Sequence, residues 1–251
     1  MNHTNYGIVA LLPMKAHSER VTGKNFKPFA GKPLFSWVLT TLLSIDEIEK
    51  VVINTDAVEL LASYPECDNP RVQLRSRKKE LQGDFTSMNL IIEDDLNNIS
   101  SDLYLMTHTT NPLLGTNTIK RALSQYKKSA TKENADSLFS VNRYQTRFYR
   151  LNGEAINHNP DELIRTQDLE PWYEENSNLY MFTKESFAAT QARIGQNPVL
   201  FETPLIESVD IDNPETWELA ELLAYGIQMR TDGAGAGPTS EQIAGTPKII
   251  S

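Results

Sequence analysis

The sequence predicts an α/β protein whose mainly parallel sheet is covered by helices on both faces. Short apolar segments alternate with amphipathic segments along most of the 251 residues. The apolar segments have the length of buried strands, and the amphipathic segments place apolar residues at helical spacing. With 39% hydrophobic residues, the chain is long enough to enclose one substantial core.

The first half of the chain contains four predicted strands, each followed by a predicted helix. The first strand is apolar throughout and ends at Pro13, which is typical of a strand buried on both faces. Pro33 opens the first helix, and Thr86 is the predicted N-cap of the third. The strands are predicted at residues 7–12, 51–53, 72–74 and 103–106, and the helices at 33–43, 57–63, 87–96 and 116–126.

The second half interrupts this alternation. Strands are predicted at residues 137–141 and 178–182, and a last helix follows Asn213-Pro214. Residues 142–175 are polar and aromatic, and Asn152-Gly153 is a strong hairpin signal. We therefore predict an inserted β-extension in this region.

Composition bounds the folded domain, its compartment and its partners. Residues 231–251 lack periodicity and predict a flexible tail after a domain of residues 1–230.

Cys67 is the only cysteine, which excludes a disulfide within the chain and a thiolate metal cluster. No segment has the roughly 18 apolar residues that span a bilayer, and residues 1–5 lack a signal-peptide pattern, so we expect a cytoplasmic protein without membrane contact. A net charge of -9 argues against nucleic-acid binding.

The loop after the first strand reverses the charge of the chain locally. Between Pro13 and Pro33 the only anion is Glu19, and the cations are Lys15, Arg20, Lys24, Lys27 and Lys32. A loop at the carboxyl end of a parallel strand is where open α/β sheets bind anionic ligands. The alternative is a basic loop that only faces water.

The order of residues in this loop resembles the signature of the acylneuraminate cytidylyltransferase family, the CMP-sialic acid synthetases. That signature has the form P-A-R-G-G-S-K-R-I-P-x-K-N, followed by G-K-P-L. Lys15 replaces the family arginine, Ala16 and His17 replace the two glycines, and Glu19 replaces a lysine. The matching positions are Pro13, Ser18, Arg20, Lys24, Asn25, Gly31, Lys32, Pro33 and Leu34.

Two carboxylates in the segment 208–212 form a second signal. If this segment is a strand, Asp210 and Asp212 project to the same side, because strand residues two apart share a face. Two acidic oxygens at a strand end suit Mg²⁺, which also retains water and phosphate ligands. Alternatively, Asp212 caps the helix that follows. The segment is similar to the family's S-x-D-I-D, and this resemblance implies that both aspartates are metal ligands.

A third segment, residues 77–87, is similar to the family's R-P-x-x-L-A-x-D-x-x-S. In the family this segment helps to hold the cytidine nucleotide, so the resemblance implies that Arg77 and Ser87 are nucleotide ligands. Without the resemblance, Arg77 would be a surface charge and Ser87 part of a helix cap.

Two segments are similar to family motifs that lie close to the acceptor. Residues 110–113 occupy the place of Q-P-T-S-P-L, with Asn111 in place of serine. Residues 165–180 look like R-x-Q-x-L-P followed by E-N-G-A-I-Y, with Ser177 in place of a glycine. An arginine can grip a carboxylate through two parallel hydrogen bonds, although a loop histidine or a hairpin arginine can also be only structural or solvated. The residues for which the resemblance implies acceptor contacts are His108, which replaces a glutamine, Thr110, Arg165 and Gln167.

These resemblances together imply a Rossmann-like fold of the nucleotide-diphospho-sugar transferase type. They imply transfer of CMP from CTP to the hydroxyl of an acidic sugar with release of pyrophosphate, Mg²⁺ as cofactor, and a homodimer joined through residues 142–175. Ser18 and Asn25 would add hydrogen bonds to the nucleotide, and no residue stands out as a general base. The side chains that would bind the triphosphate and stabilise the leaving pyrophosphate are Lys15, Arg20 and Lys24.

Two alternatives stay open at this point. One is the same transfer to a different acidic acceptor, such as a 3-deoxy-octulosonate. The other is a degenerate nucleotide-binding protein without activity, which the lost loop arginine and glycines favour and the retained Lys24, Asp210 and Asp212 oppose. Glu19 suits a triphosphate site poorly, because a carboxylate repels phosphate.

Overall fold

The computed structural model describes residues 7–18, 20–83 and 85–232. Its centre is a seven-stranded sheet, and a separate two-stranded sheet pairs β2 with β3. In chain order the strands are β1 (Ile8–Leu11), β2 (Pro28–Phe29), β3 (Lys32–Pro33), β4 (Ile48–Thr55), β5 (Val72–Ser76), β6 (Leu103–Thr107), β7 (Ser137–Tyr144), β8 (Trp172–Phe182) and β9 (Pro198–Glu202).

The large sheet has the strand order β5-β4-β1-β6-β8-β7-β9. β8 runs antiparallel to β6 and β7, whereas the other neighbouring strands run parallel. The predicted mainly parallel sheet is therefore confirmed. From β1 the chain passes to β4 and β5 on one side and then to β6 on the other side. Ligands of open α/β sheets bind at the carboxyl ends of the strands where the order reverses in this way.

Helices cover both faces of the sheet, as predicted. The α-helices of the described residues are α1 (Leu34–Leu43), α2 (Val58–Leu61), α3 (Met88–Asn98), α4 (Thr116–Lys132), α5 (Lys184–Thr190) and α6 (Pro214–Asp232). Ile8 and Ala10 of β1 pack in one hydrophobic core with α1 and α4, and Val9 and Leu11 pack in a second core with α3 and α5. β1 is apolar throughout because neither of its faces meets water.

A third apolar cluster connects α6 to the region of the basic loop. Trp217 and Ala220 of α6 pack with Phe29 of β2 and with Ile211, which is completely buried. Phe29 and Trp217 meet edge to face, with 5.4 Å between their ring centroids. This packing fixes the segment around Ile211 close to the loop that follows β1.

The predicted cap of α3 is wrong by one residue. The N-cap is Ser87, whose hydroxyl accepts a hydrogen bond from the Asn89 amide at 3.3 Å. Thr86 instead donates from its hydroxyl to the carbonyl of Gln82 at 3.2 Å. Ser87 takes the cap because its extended backbone directly precedes the first helical residue, Met88.

Residues 142–175 contain less β-structure than the sequence predicts. β7 and β8 pair along their outer ends, and the predicted hairpin at Asn152-Gly153 forms with one bridge, between Tyr149 and Ala155. Gly153 has a φ of 86°, which glycine adopts at little cost. The remainder consists of turns and a 3-10 helix at Thr166–Asp168, because the many polar residues there lack strand alternation.

The chain after α6 is described only in part. α6 continues to Asp232 and so includes the first two residues of the predicted tail, and residues 233–251 lie outside the described residues. Among the helices that the structure describes, none combines the length and the apolar character needed to cross a membrane.

Candidate active site

A cavity of about 370 Å³ opens at the carboxyl ends of β1 and β6. This is where the strand order reverses beside β1, so the cavity lies where the topology favours a ligand site. Most of the predicted site residues line it together with the start of α3. They are Lys15, Ser18, Arg20, Lys24, Asn25, Arg77, His108 and Thr110.

Hydrogen bonds fasten the basic loop to the end of the sheet. Asn25 donates to the carbonyl of Lys15 at 2.7 Å and accepts from the Thr109 hydroxyl at 2.6 Å. Asp56, which sequence reasoning missed, accepts from the amide of Ala16 at 2.7 Å. Each end of the Asn25 amide makes one hydrogen bond within the protein, so Asn25 shapes the loop while it also lines the cavity. Glu19 lies outside the described residues.

Lys24 lies at the centre of the charged groups. Its Nζ donates to the carbonyl of Ile211 at 2.7 Å. Burial lowers the pKa of Lys24, and the nearby carboxylates of Asp210 and Asp212 act in the opposite direction. The lysine of the loop and the two aspartates, 186 and 188 residues further on, therefore share one site, as the sequence predicts.

The backbone around these aspartates is not the predicted strand. The segment lies outside the sheet, and its amide at Ile211 donates to the carbonyl of Thr110 at 2.8 Å. It lies between a 3-10 helix at Leu205–Ser208 and α6, and the apolar cluster around Ile211 fixes it instead of a ladder of strand hydrogen bonds. Asp210 and Asp212 nevertheless both lie near Lys24, while Ile211 between them is buried.

Asp212 does not cap α6 with its carboxylate. Asn213 provides the cap, since its side-chain oxygen accepts from the amide of Thr216 at 2.9 Å. The carboxylate of Asp212 instead forms an ion pair with Arg20, at 3.2 Å between Nη2 and Oδ1. Both side chains are about half exposed or more, so the pair contributes little to stability and exchanges readily for other charges.

Asp210 carries an unusual oxygen. Its Oδ1 is buried and has no hydrogen-bond partner among the described residues. Burial raises the pKa of Asp210, although a hydrogen bond from the Thr110 side chain acts in the opposite direction. A buried carboxylate oxygen without a partner, beside a second carboxylate, is a donor set that fits one divalent cation with further oxygen ligands from water or phosphate.

Arg77 is buried and acts mainly as a clamp. Its guanidinium donates to the carbonyls of Met14 and Asn54, at 3.1 and 2.7 Å, and to the side-chain oxygen of Asn54 at 3.1 Å. It therefore joins the basic loop to the end of β4, with one edge towards the cavity. Ser87 is exposed, caps α3 and does not line the cavity, although its neighbours Thr86 and Met88 do.

Asp95 of α3 supports this clamp through its hydrogen bond with Asn54. It accepts from Asn54 at 2.8 Å and pairs with Arg75 at 3.2 Å, and it is 1% exposed. Burial raises the pKa of Asp95 from 3.8 to about 6, against the hydrogen bond from Asn54 and the charge of Arg75. The folded protein thus binds this proton more tightly than the unfolded chain does.

We predict that this proton makes stability depend on pH. The stability that protonation of Asp95 adds is fully present below about pH 4 and is lost as pH rises through 6. The free energy of unfolding then falls by up to about 3 kcal/mol. Asp95→Asn removes the titrating group, so the variant should gain on the parent by about that amount between pH 4 and pH 7. Urea unfolding of both proteins across this range measures it, and a difference that stays constant with pH would contradict it.

His108 forms the wall of the cavity opposite the basic loop. Burial, together with the smaller effects of the charges of Arg193 and Lys24, lowers the pKa of His108 to about 4. Its Nε2 lies 3.4 Å from Nη1 of Arg193. Arg193 stacks on the ring of Tyr180 at 3.9 Å and pairs with Glu175 at 3.2 Å. Sequence reasoning missed Arg193, which lies in a turn between α5 and β9 without a local pattern.

Arg165 and Gln167 do not join the other predicted residues. Both are exposed at the 3-10 helix Thr166–Asp168, and neither lines the cavity. Arg165 pairs with Asp168 through contacts of 2.7 and 3.0 Å. Within one chain, the structure therefore does not bring these two predicted acceptor ligands to the site.

The fold is shared with proteins of known structure. The chain has the fold of a CMP:2-keto-3-deoxy-manno-octonic acid synthetase that was solved in complex with CTP, with a TM-score of 0.57 and 12% sequence identity. The match covers 88% of this chain and 99% of the other. The predicted fold of the nucleotide-diphospho-sugar transferase type is therefore confirmed.

Sequence comparison then gives the family. Residues 9–236 match the family described as Cytidylyltransferase, so the chain belongs to the cytidylyltransferase family. The predicted family and nucleotidyltransferase class are confirmed. A CMP-N,N'-diacetyllegionaminic acid synthase of Legionella pneumophila is 27% identical over 86% of this chain and 95% of its own length. A pseudaminic acid cytidylyltransferase of Campylobacter jejuni is 24% identical over the same shares of the two chains.

Proposed function

We propose that this protein transfers CMP from CTP to the hydroxyl of a nonulosonic acid and releases pyrophosphate. The observation that carries the proposal is the convergence of Asp210 and Asp212 with Lys24 and Arg20, the two cations of this group that line the cavity. Such a site matches the charges of a triphosphate and a divalent cation. The names of the two relatives support a nonulosonic acceptor over 3-deoxy-octulosonate, which is supported by fold similarity alone.

The chain contributes alignment and charge. The sugar oxygen forms a bond to the α-phosphorus as the bond to pyrophosphate breaks, and the hydroxyl proton is released to solvent. Lys15, Arg20 and Lys24 line the side of the cavity where phosphate oxygens would lie, so they would neutralise the charge that develops on pyrophosphate. Asp210 and Asp212 would hold Mg²⁺, which when bound would lower the pKa of the attacking hydroxyl.

A nucleotide panel tests the proposal. The parent protein should release pyrophosphate from CTP and Mg²⁺ with at least one of N-acetylneuraminic, N,N'-diacetyllegionaminic and pseudaminic acids, and faster than with 3-deoxy-manno-octulosonic acid. CTP should also raise the melting temperature more than UTP, ATP or GTP, because a ligand stabilises only the state that binds it. Equal shifts with all four nucleotides, or no pyrophosphate with any acid, would contradict the proposal.

We further propose that residues 142–175 form a homodimer contact. Several apolar side chains there are exposed, including Leu151 at 108%, Leu163 at 87% and Trp172 at 39%. Exposed apolar groups concentrated in one segment are typical of interaction surfaces. A dimer would also place Arg165 near a second chain, where it could serve the partner's site.

Leu163→Glu should weaken this dimer by about tenfold or more, because it places a charge in an apolar contact. Sedimentation velocity over a range of concentrations measures the change. Leu60→Glu is a matched control, since Leu60 is 46% exposed on α2 at another edge of the sheet. A parent that sediments as a monomer, or equal effects of both variants, would contradict the proposal.

A further inference from the structure

One cluster of side chains beside the cavity is not explained by nucleotide binding. We call it the Arg193 cluster, and it consists of His108, Glu175, Ser177, Tyr180 and Arg193. Arg193 contacts His108, Glu175 and the ring of Tyr180, and the Tyr180 hydroxyl donates to Glu175 and lies 3.2 Å from the Ser177 hydroxyl. Two members, His108 and Ser177, stand where the family pattern has other residues. Both of these replaced residues therefore belong to the group of side chains around Arg193.

The cluster holds Arg193 in a fixed orientation. The aromatic ring supports one face of the guanidinium, and Glu175 accepts a hydrogen bond from Nη2. The side chain remains 21% exposed and is therefore not fully enclosed by the cluster. Its contact with His108 is long, at 3.4 Å, and an anion can replace it at small cost. A planar guanidinium held in this way is prepared for a carboxylate.

The position of the cluster matches the chemistry of the acceptor. In a nonulosonic acid the attacking hydroxyl and the carboxylate are attached to the same carbon atom. A cation that binds this carboxylate must therefore lie close to the charges that bind the α-phosphate. His108 lines the cavity together with Lys24, and its Nε2 lies 3.4 Å from Nη1 of Arg193, so Arg193 lies directly beside a residue of the cavity wall. Arg165 is exposed and paired with Asp168.

We infer that Arg193 binds the carboxylate of the acceptor sugar and that His108 and Tyr180 position it. This inference rests on the proposed transfer to an acidic sugar. The carboxylate would take the edge of the guanidinium that faces His108, while Glu175 keeps the other edge. Charge recognition by Arg193 would then select acidic acceptors, and the residue at 108 would tune which of them fits.

Steady-state kinetics of Arg193→Ala and Arg193→Lys test the inference in the full chain with CTP and Mg²⁺. The acceptor is the acid of the panel that the parent uses fastest, together with its C1 carboxamide. We expect Arg193→Ala to raise the acceptor KM about 10- to 100-fold, as expected for a lost hydrogen bond to a charged group. Its KM for CTP and its melting temperature should stay near those of the parent, and Arg193→Lys should recover part of the loss.

The carboxamide separates recognition from a merely structural role. If Arg193 binds the carboxylate, the parent should prefer the acid to the amide, and Arg193→Ala should lose most of that preference. Arg121→Ala is the matched control, because Arg121 also lies over an aromatic ring, that of Phe201, at 5.5 Å and away from the cavity. An active parent whose Arg193→Ala variant keeps its acceptor KM would overturn this inference alone. A parent inactive with every acid would overturn the proposed function and this inference with it.

Discussion

Asp210→Asn should lower kcat by about 100- to 1,000-fold, the range seen when one preorganised electrostatic contact to a transition state is lost. The substitution removes a charge and leaves the side-chain volume nearly unchanged. Because Oδ1 of Asp210 is buried without a partner, no protein contact of that atom is lost, and the fold should keep its stability or gain some. Pyrophosphate release at saturating CTP, measured over a range of Mg²⁺ concentrations, checks the result.

The design of this experiment separates metal binding from general charge effects. Asp46→Asn removes the same charge from an exposed position before β4, at the opposite end of the sheet from the cavity, and should leave the rate unchanged. Asp210→Asn should also need more Mg²⁺ for half-maximal rate, because one of two carboxylate ligands has lost its charge. A variant with the parental rate and the parental Mg²⁺ dependence would show that the pair is only structural.

The fold can be predicted from the sequence wherever buried apolar residues recur at the regular spacing of a strand or a helix. β1 is predicted well because both of its faces are covered, which leaves an apolar run that few other structures produce. The segment around Asp210 is not, because its backbone is fixed by the burial of Ile211 and by one hydrogen bond to Thr110. Local sequence cannot distinguish that arrangement from a strand, although the two give the carboxylates similar positions.

The candidate site is predicted in part for a similar reason. The motifs after β1 and before α6 predict that Lys24 lies near Asp210 and Asp212. The structure brings these residues together. Arg193 gives no signal, because its role depends on Tyr180 and His108, which are distant in sequence. Arg165 is the opposite case, since its motif predicts a site residue that is exposed within its own chain.

The departures in the basic loop do not require loss of activity. Where the family has two glycines, Ala16 and His17 are not among the described residues with positive φ, so the backbone there accepts side chains without strain. The amide of Ala16 is bound to Asp56, which holds the loop against the end of β4. The basic loop therefore keeps its shape through this hydrogen bond and does not need the flexibility of glycine. Ser177 of β8 differs, because it replaces a glycine and has a φ of 55°, and its hydroxyl lies 3.2 Å from that of Tyr180.

Lys24→Ala should lower kcat by about 100- to 1,000-fold, comparable to the loss of one preorganised donor to developing charge. Lys24 lies near both carboxylates, and its Nζ donates to the carbonyl of Ile211 at 2.7 Å. Its removal takes one positive charge away from Asp210 and Asp212, so the site would repel the triphosphate more strongly before Mg²⁺ binds. The KM for CTP should therefore rise as well. Initial rates across CTP concentrations give both constants.

Lys24→Arg and Lys120→Ala make the result specific. The larger guanidinium does not fit the contact that Lys24 makes with Ile211, so Lys24→Arg should recover only part of the rate even though its charge is kept. Lys120 is exposed on α4, away from the cavity, and its replacement by alanine should change neither constant. Lys24→Ala with the parental kcat and KM, like Lys120→Ala, would contradict this prediction. Lys24 would then only hold the carboxylates in place, and the proposed transfer could not depend on its charge.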